Sequence, residues 1–204
     1  MDRQTAIGKL STLVGQDVHS LARQYKVQVL GQSGKVNKGW AGHVIERFLG
    51  LPINSAQAPN FGSWELKVIP LKRLQSGALA FKETMAITMI DPVNVGVTDF
   101  DNSHLLTKLH RAVIVARVVG KNVTDPSVIH SITALDLAGK LKLDVEKDYE
   151  DIRACINDKN RGFDHLTGAM GKFIQPRTKG AGHGSTSRAF YARPIFLEQF
   201  IDLT

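Results

Sequence analysis

Long apolar runs and a second cysteine are both missing from this 204-residue sequence. The longest apolar runs, such as AVIVARVVG at residues 112–120, are broken by charge or glycine well before the roughly 20 residues that a membrane span needs. The single cysteine, Cys155, cannot form an internal disulfide, and no charged stretch followed by an apolar stretch opens the chain. We therefore expect a soluble protein with no membrane partner, in a reducing, cytoplasmic setting.

Acidic residues are scarce, and near the carboxyl end a long stretch has none. The chain carries 26 Lys and Arg against 19 Asp and Glu, for a net charge of +7. No acid lies between Asp164 and Glu198, and that window holds the following basic residues: Lys172, Arg177, Lys179, Arg188 and Arg193. Glycine, serine and threonine between them supply backbone N–H groups and hydroxyls that suit phosphate contact, which predicts a nucleic-acid surface. A solvated basic face is the alternative.

The apolar spacing indicates an α/β or α+β domain in which helices flank a mixed sheet. Helical spacing occurs twice within residues 5–25 and once each in residues 38–49, 102–110, 145–155 and 194–201. Alternating or valine-rich runs predict strands at residues 64–69, 79–90 and 112–119, around residue 173 and at 189–192. The first two strands should form a hairpin. Without a linker or repeat, the length predicts one domain over residues 1–204.

One predicted strand carries an acid and a base on the same face. Glu65 and Lys67 lie two residues apart, so their side chains project together while Trp64 and Leu66 project from the other face. A carboxylate that holds a hard cation beside an ammonium that steers water is a recurring arrangement in phosphodiester hydrolysis. E-x-K in a strand is more often a solvated ion pair, so the motif alone is weak evidence.

Two further residues bear on this motif. Pro59-Asn60 precedes Glu65 and Lys67 in the string P-N-x4-E-x-K, which differs by one amide from P-D-x4-E-x-K, the signature of a large class of metal-dependent nucleases. Glu46, on the predicted helix at residues 38–49, can direct another carboxylate to the same place. A surface glutamate is the alternative interpretation of Glu46.

Five segments carry a resemblance in their order and spacing. They are NKGWAGHVIERFLG (37–50), ELKVIP (65–70), SHLLTKLHRAVIVARVVG (103–120), GKFIQPRTKG (171–180) and RAFYARPIF (188–196). Together they resemble the family of MutH and the GATC-cutting type II restriction endonucleases, within the PD-(D/E)XK nucleases. The resemblance covers most of the chain.

This resemblance implies a restriction-endonuclease-like fold, with two lobes that share one core and form a DNA cleft. It places Glu46, Asn60, Glu65 and Lys67 on the catalytic set, and the metal on Glu46, Asn60, Glu65 and the Leu66 carbonyl. The implied cofactor is Mg²⁺, for which we expect Mn²⁺ to substitute and Ca²⁺ to bind without supporting cleavage. With the basic stretch, it predicts double-stranded DNA contacts at Lys38, Lys108, Arg177, Thr178, Lys179, Arg188 and Tyr191.

The implied activity is magnesium-dependent endonuclease cleavage of DNA at GATC or a similar short site. We favour a type II restriction enzyme, because the similarity to MutH thins outside the quoted segments. The alternative is a mismatch-repair nicking enzyme that depends on a MutL-type activator. An RNA-binding basic domain ranks lower, since no aromatic RNA-binding signature is present.

Asn60 is the departure from the family pattern, which has aspartate there. An asparagine keeps the shape and one carbonyl oxygen but lacks the charge that holds a divalent cation, so weakened metal binding and cleavage should follow. Two explanations compete: an engineered Asp→Asn change, which we favour because Glu46, Glu65 and Lys67 remain, and a natural DNA-binding or allosteric module that does not cut efficiently.

Overall fold

A computed structural model describes residues 1–50, 62–180 and 186–203. Its helices are α1 (Arg3–Ser11), α2 (Val18–Gln24), α3 (Trp40–Phe48), α4 (Pro92–Val97), α5 (His104–Leu109), α6 (Gly139–Asn157) and α7 (Pro194–Leu197). Its strands are β1 (Glu65–Arg73), β2 (Leu79–Phe81), β3 (Met85–Met89), β4 (Arg111–Val119), β5 (Ser127–Asp136), β6 (Ile174–Thr178) and β7 (Arg188–Ala192). These form two compact units. Unit 1 is Met1–Glu83, Ala112–Ala134 and Ile201–Thr204, and unit 2 is Thr84–Arg111 and Leu135–Phe200.

Unit 1 is built on a four-stranded mixed sheet in the order β2-β1-β4-β5. The central strand β1 runs antiparallel to β2 and parallel to β4, in a register that pairs Glu65 with Ala112 and Leu71 with Val118. Helices α1, α2 and α3 supply apolar side chains that pack with Leu66, Val113 and Val115 in one core. The predicted mixed sheet flanked by helices is thus confirmed.

The first three helices form where their spacing predicts them. Asp2 and Asp17 cap α1 and α2 by accepting hydrogen bonds from the N–H groups of Thr5 and His19. The helix α3 presents Val44 and Ile45 to the core and stops before Gly50, whose φ of +79° is left-handed.

Unit 2 is built on a three-stranded sheet in the order β3-β7-β6. Helix α6 packs against β6, and α5 packs against β3. The carboxylate of Asp148 on α6 accepts hydrogen bonds from the backbone N–H groups of Lys172, Phe173 and Ile174 at 2.7, 2.6 and 2.8 Å. This one side chain therefore ties the start of β6 to the long helix.

The predicted long strand at residues 79–90 is wrong in extent. Only β2 forms the expected hairpin with β1, through the turn at residues 75–77. The exposed pair Lys82 and Glu83 interrupts the strand, and β3 then pairs with β7 in the other sheet. Phe81 before the break and Met85 after it are both buried, and both occupy odd-numbered positions. The alternation of apolar and polar residues therefore continues where the chain passes from one sheet to the other.

Some elements differ from their predicted bounds. The sequence pattern missed α4 and β5, α6 begins before its predicted start, and α7 ends at Leu197.

In the part of the chain that the structure describes, no helix combines the length and apolar character needed for a membrane crossing. One shared core over residues 1–204, and a DNA cleft between lobes, stay predictions.

Candidate active site

Glu65 and Lys67 form an ion pair at the start of β1. The Lys67 Nζ lies 3.0 Å from the Glu65 Oε1, and their side chains are 15% and 5% exposed. Alternation along the strand puts both on one face, as predicted. The burial differs from a solvated ion pair, because β1 is a central strand whose first seven residues are buried or half-buried. Buried charges keep their interaction largely free of solvent screening.

Glu46 lies on α3, in the same unit. Its side chain is half-buried and its Oε2 atom is buried. Helix α3 packs on the face of β1 that carries Leu66, while Glu65 occupies the other face. That the two carboxylates hold one metal ion stays a prediction. Glu65 is the first residue of that strand.

The remaining predicted metal ligands are Asn60 and the Leu66 carbonyl. Asn60 lies outside the described residues, and the Leu66 side chain is in the core. Within residues 1–50, 62–180 and 186–203, the structure contains no group of three or more His, Cys, Asp or Glu arranged to hold a metal ion. The predicted set includes two such residues, so a third charged ligand would have to stand at position 60.

Three of the predicted DNA-contact residues lie on the sheet of unit 2. The resemblance implies a DNA-reading loop at residues 177–179, but Arg177 and Thr178 are instead the last residues of the strand β6. Tyr191 is on the neighbouring strand β7. The register pairs Gln175 with Tyr191, which puts Arg177 on the same face as the tyrosine. The Arg177 Cζ lies 5.8 Å from the Tyr191 ring centre, and its Nη1 donates to the Thr84 Oγ1 at 3.0 Å. Arg177 is exposed, and these two contacts orient its guanidinium.

Arg188, another predicted DNA contact, is engaged by the protein itself. It donates hydrogen bonds to the carbonyls of Phe163 and Asp164 at 3.4 and 3.1 Å and to the Thr178 Oγ1 at 3.1 Å. Its Cζ also lies 5.6 Å from the Phe163 ring centre. These contacts indicate that Arg188 anchors the turn at residues 163–165.

The predicted lysines are dispersed. Lys38 is exposed just before α3 and lines a cavity of unit 1. Lys108 is 6% exposed in the last turn of α5, in unit 2. Lys179 follows β6 and donates its backbone N–H to the Ser187 carbonyl at 2.8 Å. Their roles toward DNA stay predictions.

Two residues with evident interactions were not singled out by the sequence. Thr84 orients Arg177, and Arg117, inside the valine-rich strand β4, stacks over Trp40 at 5.2 Å from its ring centre. The sequence did contain a sign of the role of Arg117, because an arginine inside an apolar strand destabilises the fold unless its guanidinium finds partners. No local pattern marks Thr84.

One family model matches the part of the chain that carries the acid–lysine pair. A mixed sheet flanked by helices, with an acid and a lysine two residues apart on the central strand, is what the resemblance to restriction endonucleases implies. Residues 49–135 match the family model described as "DNA mismatch repair enzyme MutH". The chain is similar to this family over that segment, which covers less than half of the chain and includes Glu65 and Lys67.

Two further comparisons, with curated proteins and with solved structures, give weaker information about the family. The curated proteins contain no significant match. Among solved structures, the chain is similar to one described as "Restriction endonuclease MvaI-cognate DNA substrate complex", at 13% identity and a TM-score of 0.39, covering 90% of this chain and 94% of that one.

Proposed function

We propose that the chain is a sequence-specific, divalent-metal-dependent DNA endonuclease that hydrolyses phosphodiester bonds at GATC or a similar short site, as a type II restriction enzyme. The observation that carries the proposal is the buried Glu65–Lys67 ion pair, 3.0 Å apart within the segment that matches the MutH family model. An ordinary surface pair would be exposed, with little constraint on either side chain.

The donor atoms fit a hard cation. Glu65 is 4% exposed and the Glu46 Oε2 is buried, so both would offer carboxylate oxygen out of bulk water, joined by residue 60 and the Leu66 carbonyl. A bound Mg²⁺ would supply Lewis acidity and lower the pKa of its water. Mn²⁺ should replace it, and Ca²⁺ should bind without supporting cleavage.

Lys67 supplies the positive charge of the site. Its ammonium is held by Glu65, so it can donate a hydrogen bond to the attacking water and offset charge that develops on the scissile phosphate. Since the lysine is largely buried, its charge acts with little screening.

Arg177 is the proposed reader of a guanine. Stacking on Tyr191 and the hydrogen bond to Thr84 hold its guanidinium on an exposed surface. From there, the remaining N–H groups can pair with guanine O6 and N7, which contributes roughly 1–3 kcal/mol of base discrimination. Tyr191 lies on the same face to contact the adjacent base.

The experiment turns on Asn60. The chain and its Asn60→Asp variant are incubated with methylated and unmethylated GATC duplexes in Mg²⁺ or Ca²⁺, and the ends are mapped. We expect Asn60→Asp to confer or strongly increase Mg²⁺-dependent cleavage, because the carboxylate restores the missing charge. Asn160→Asp, which adds the same charge at an exposed position in unit 2, is the matched control and should change nothing.

Two other outcomes define the alternatives. Tight, salt-dependent, sequence-selective binding with no cleavage even in Asn60→Asp would favour a non-cleaving DNA-binding module, for which Asn60 itself is the evidence. Nicking of one strand that depends on a MutL-type activator would favour a mismatch-repair enzyme, which the description of the matched family model suggests. Double-strand cleavage without a partner supports the restriction enzyme.

A further inference from the structure

Unit 1 contains a cavity of about 450 Å³ that is distinct from the Glu65–Lys67 pair. Pro70 and Arg117, which face each other across β1 and β4, both line it. Pro70 lies five positions along β1 from Glu65, which is roughly 16 Å along a strand. Pro70 has an even number, whereas Glu65 and Lys67 have odd numbers. Because side chains alternate along a strand, the cavity and the ion pair lie on opposite faces of the sheet.

Arg117 is the arginine that lines this cavity. It is half-buried, its Cζ lies 5.2 Å from the Trp40 ring centre, and its Nη1 donates to the Ser127 Oγ at 2.7 Å. Its buried Nε has no hydrogen-bond partner among the described residues. Burial lowers the pKa of the guanidinium, an effect that the nearby Glu83 partly offsets. A buried donor on a cation without an acceptor is costly, so Arg117 is held here at some expense in stability.

Ser127 is itself fixed in place. It is 1% exposed, and its backbone N–H donates to the Asp17 Oδ1 at 2.9 Å. The same carboxylate caps α2. Arg117 is therefore positioned by a chain of contacts that runs from α2 through β5, so a ligand would meet a guanidinium that needs no reordering.

The charges around the cavity favour an anion. Besides Arg117, the lining includes Lys38, Lys82 and Lys121, against the acids Glu83 and Asp125. The Asp125 carboxylate already has a partner within the protein, since it accepts a hydrogen bond from the backbone N–H of Asn122 at 2.8 Å. Positive charge thus exceeds negative charge around the half-buried Arg117.

We propose that this cavity is a phosphate-binding site, in which Arg117 and the lysines Lys82 and Lys121 hold the phosphate group of a nucleotide or of a nucleic-acid strand. An arginine fork matches two phosphate oxygens, and lysines add point charges around them. The Trp40 ring is only 4% exposed, so it offers no surface for stacking a base. Recognition accordingly rests on the phosphate.

Isothermal titration with inorganic phosphate, at an ionic strength matched with chloride, tests the site. We expect saturable binding of one phosphate, weakened about tenfold or more in Arg117→Lys, which keeps the charge but loses the fork. A second variant, Lys82→Gln with Lys121→Gln, removes only exposed side chains and should weaken binding by a similar factor while the fold stays intact. Lys9→Gln with Lys72→Gln removes two exposed lysines outside the cavity and is the matched control.

Competition identifies the source of the phosphate. Displacement by a deoxynucleoside monophosphate supports a free nucleotide, and displacement by a DNA duplex supports a strand. Displacement by neither means an adventitious ion only and overturns the proposal. So does phosphate binding that is no tighter than chloride binding, or that is unchanged in both folded variants. Glu65→Gln should leave this binding unaltered, so the result is independent of the proposed nuclease activity.

Discussion

Replacing Asp148 by asparagine tests how far one carboxylate organises unit 2. Asp148 is 5% exposed and accepts the N–H groups of Lys172, Phe173 and Ile174 within 2.8 Å. One of its oxygens takes a single hydrogen bond and the other takes two. Asparagine keeps one oxygen, so at least one N–H group must face an amide that can only donate.

The expected cost follows from those contacts. A buried donor left without an acceptor costs about 1–3 kcal/mol, and the retained bonds lose the extra strength that a charged acceptor provides. We expect the free energy of unfolding to fall by about 2–4 kcal/mol in total. At about 2–4 °C for each kcal/mol in a chain of this size, the melting temperature should fall by roughly 4–16 °C.

Urea and thermal unfolding followed by far-ultraviolet circular dichroism measure the change, and hydrogen exchange of the amides at residues 172–174 locates it. Asp151→Asn, on the same helix and exposed, is the control and should shift stability by less than about 0.5 kcal/mol. The reasoning is refuted if Asp148→Asn unfolds at the wild-type midpoint and its amides at 172–174 remain equally protected.

Three further predictions concern the site and the interior. In the Asn60→Asp background, Lys67→Met should slow cleavage by about 10²-fold or more, measured in single-turnover assays, and an unchanged rate would contradict its role. Arg177→Ala should weaken binding to a GATC duplex by about 5- to 150-fold but not to a scrambled duplex, so equal losses would contradict base reading. Burial raises the pKa of Tyr149 to about 12 from its ordinary value of 10, so its neutral hydroxyl stabilises the fold below pH 10 and that stability is lost as the pH rises toward 12. Tyr149→Phe should flatten this loss in alkaline unfolding curves, whereas an unaltered slope would contradict it.

Local patterns were sufficient for the amino-terminal helices and for the acid–lysine pair. Asp17 before Val18 marks a helix start, and a spacing of two puts Glu65 and Lys67 on one face wherever the strand lies. These predictions depend on interactions between residues close together in sequence, whose geometry the backbone alone sets.

Distant contacts escaped the same reasoning. β2 and β3 share one alternating pattern, and only their pairing partners, β1 and β7, distinguish them. The strand β5 mixes polar and apolar residues because many of its side chains are half-buried. Arg117 contacts Trp40 and Ser127, which are far apart in sequence. Its interactions could therefore not be predicted without knowing how the strands and helices are arranged.

The interleaving of the two units has a consequence for biosynthesis. The strand β1 is completed at Arg73, but its parallel partner β4 begins at Arg111, after the first segment of unit 2 has been made. A nascent chain therefore carries β1 with one hydrogen-bonding edge unpaired while that segment is translated, and unpaired edges are prone to aggregation. Truncation at Glu83, where the first segment of unit 1 stops, would make that exposed edge permanent.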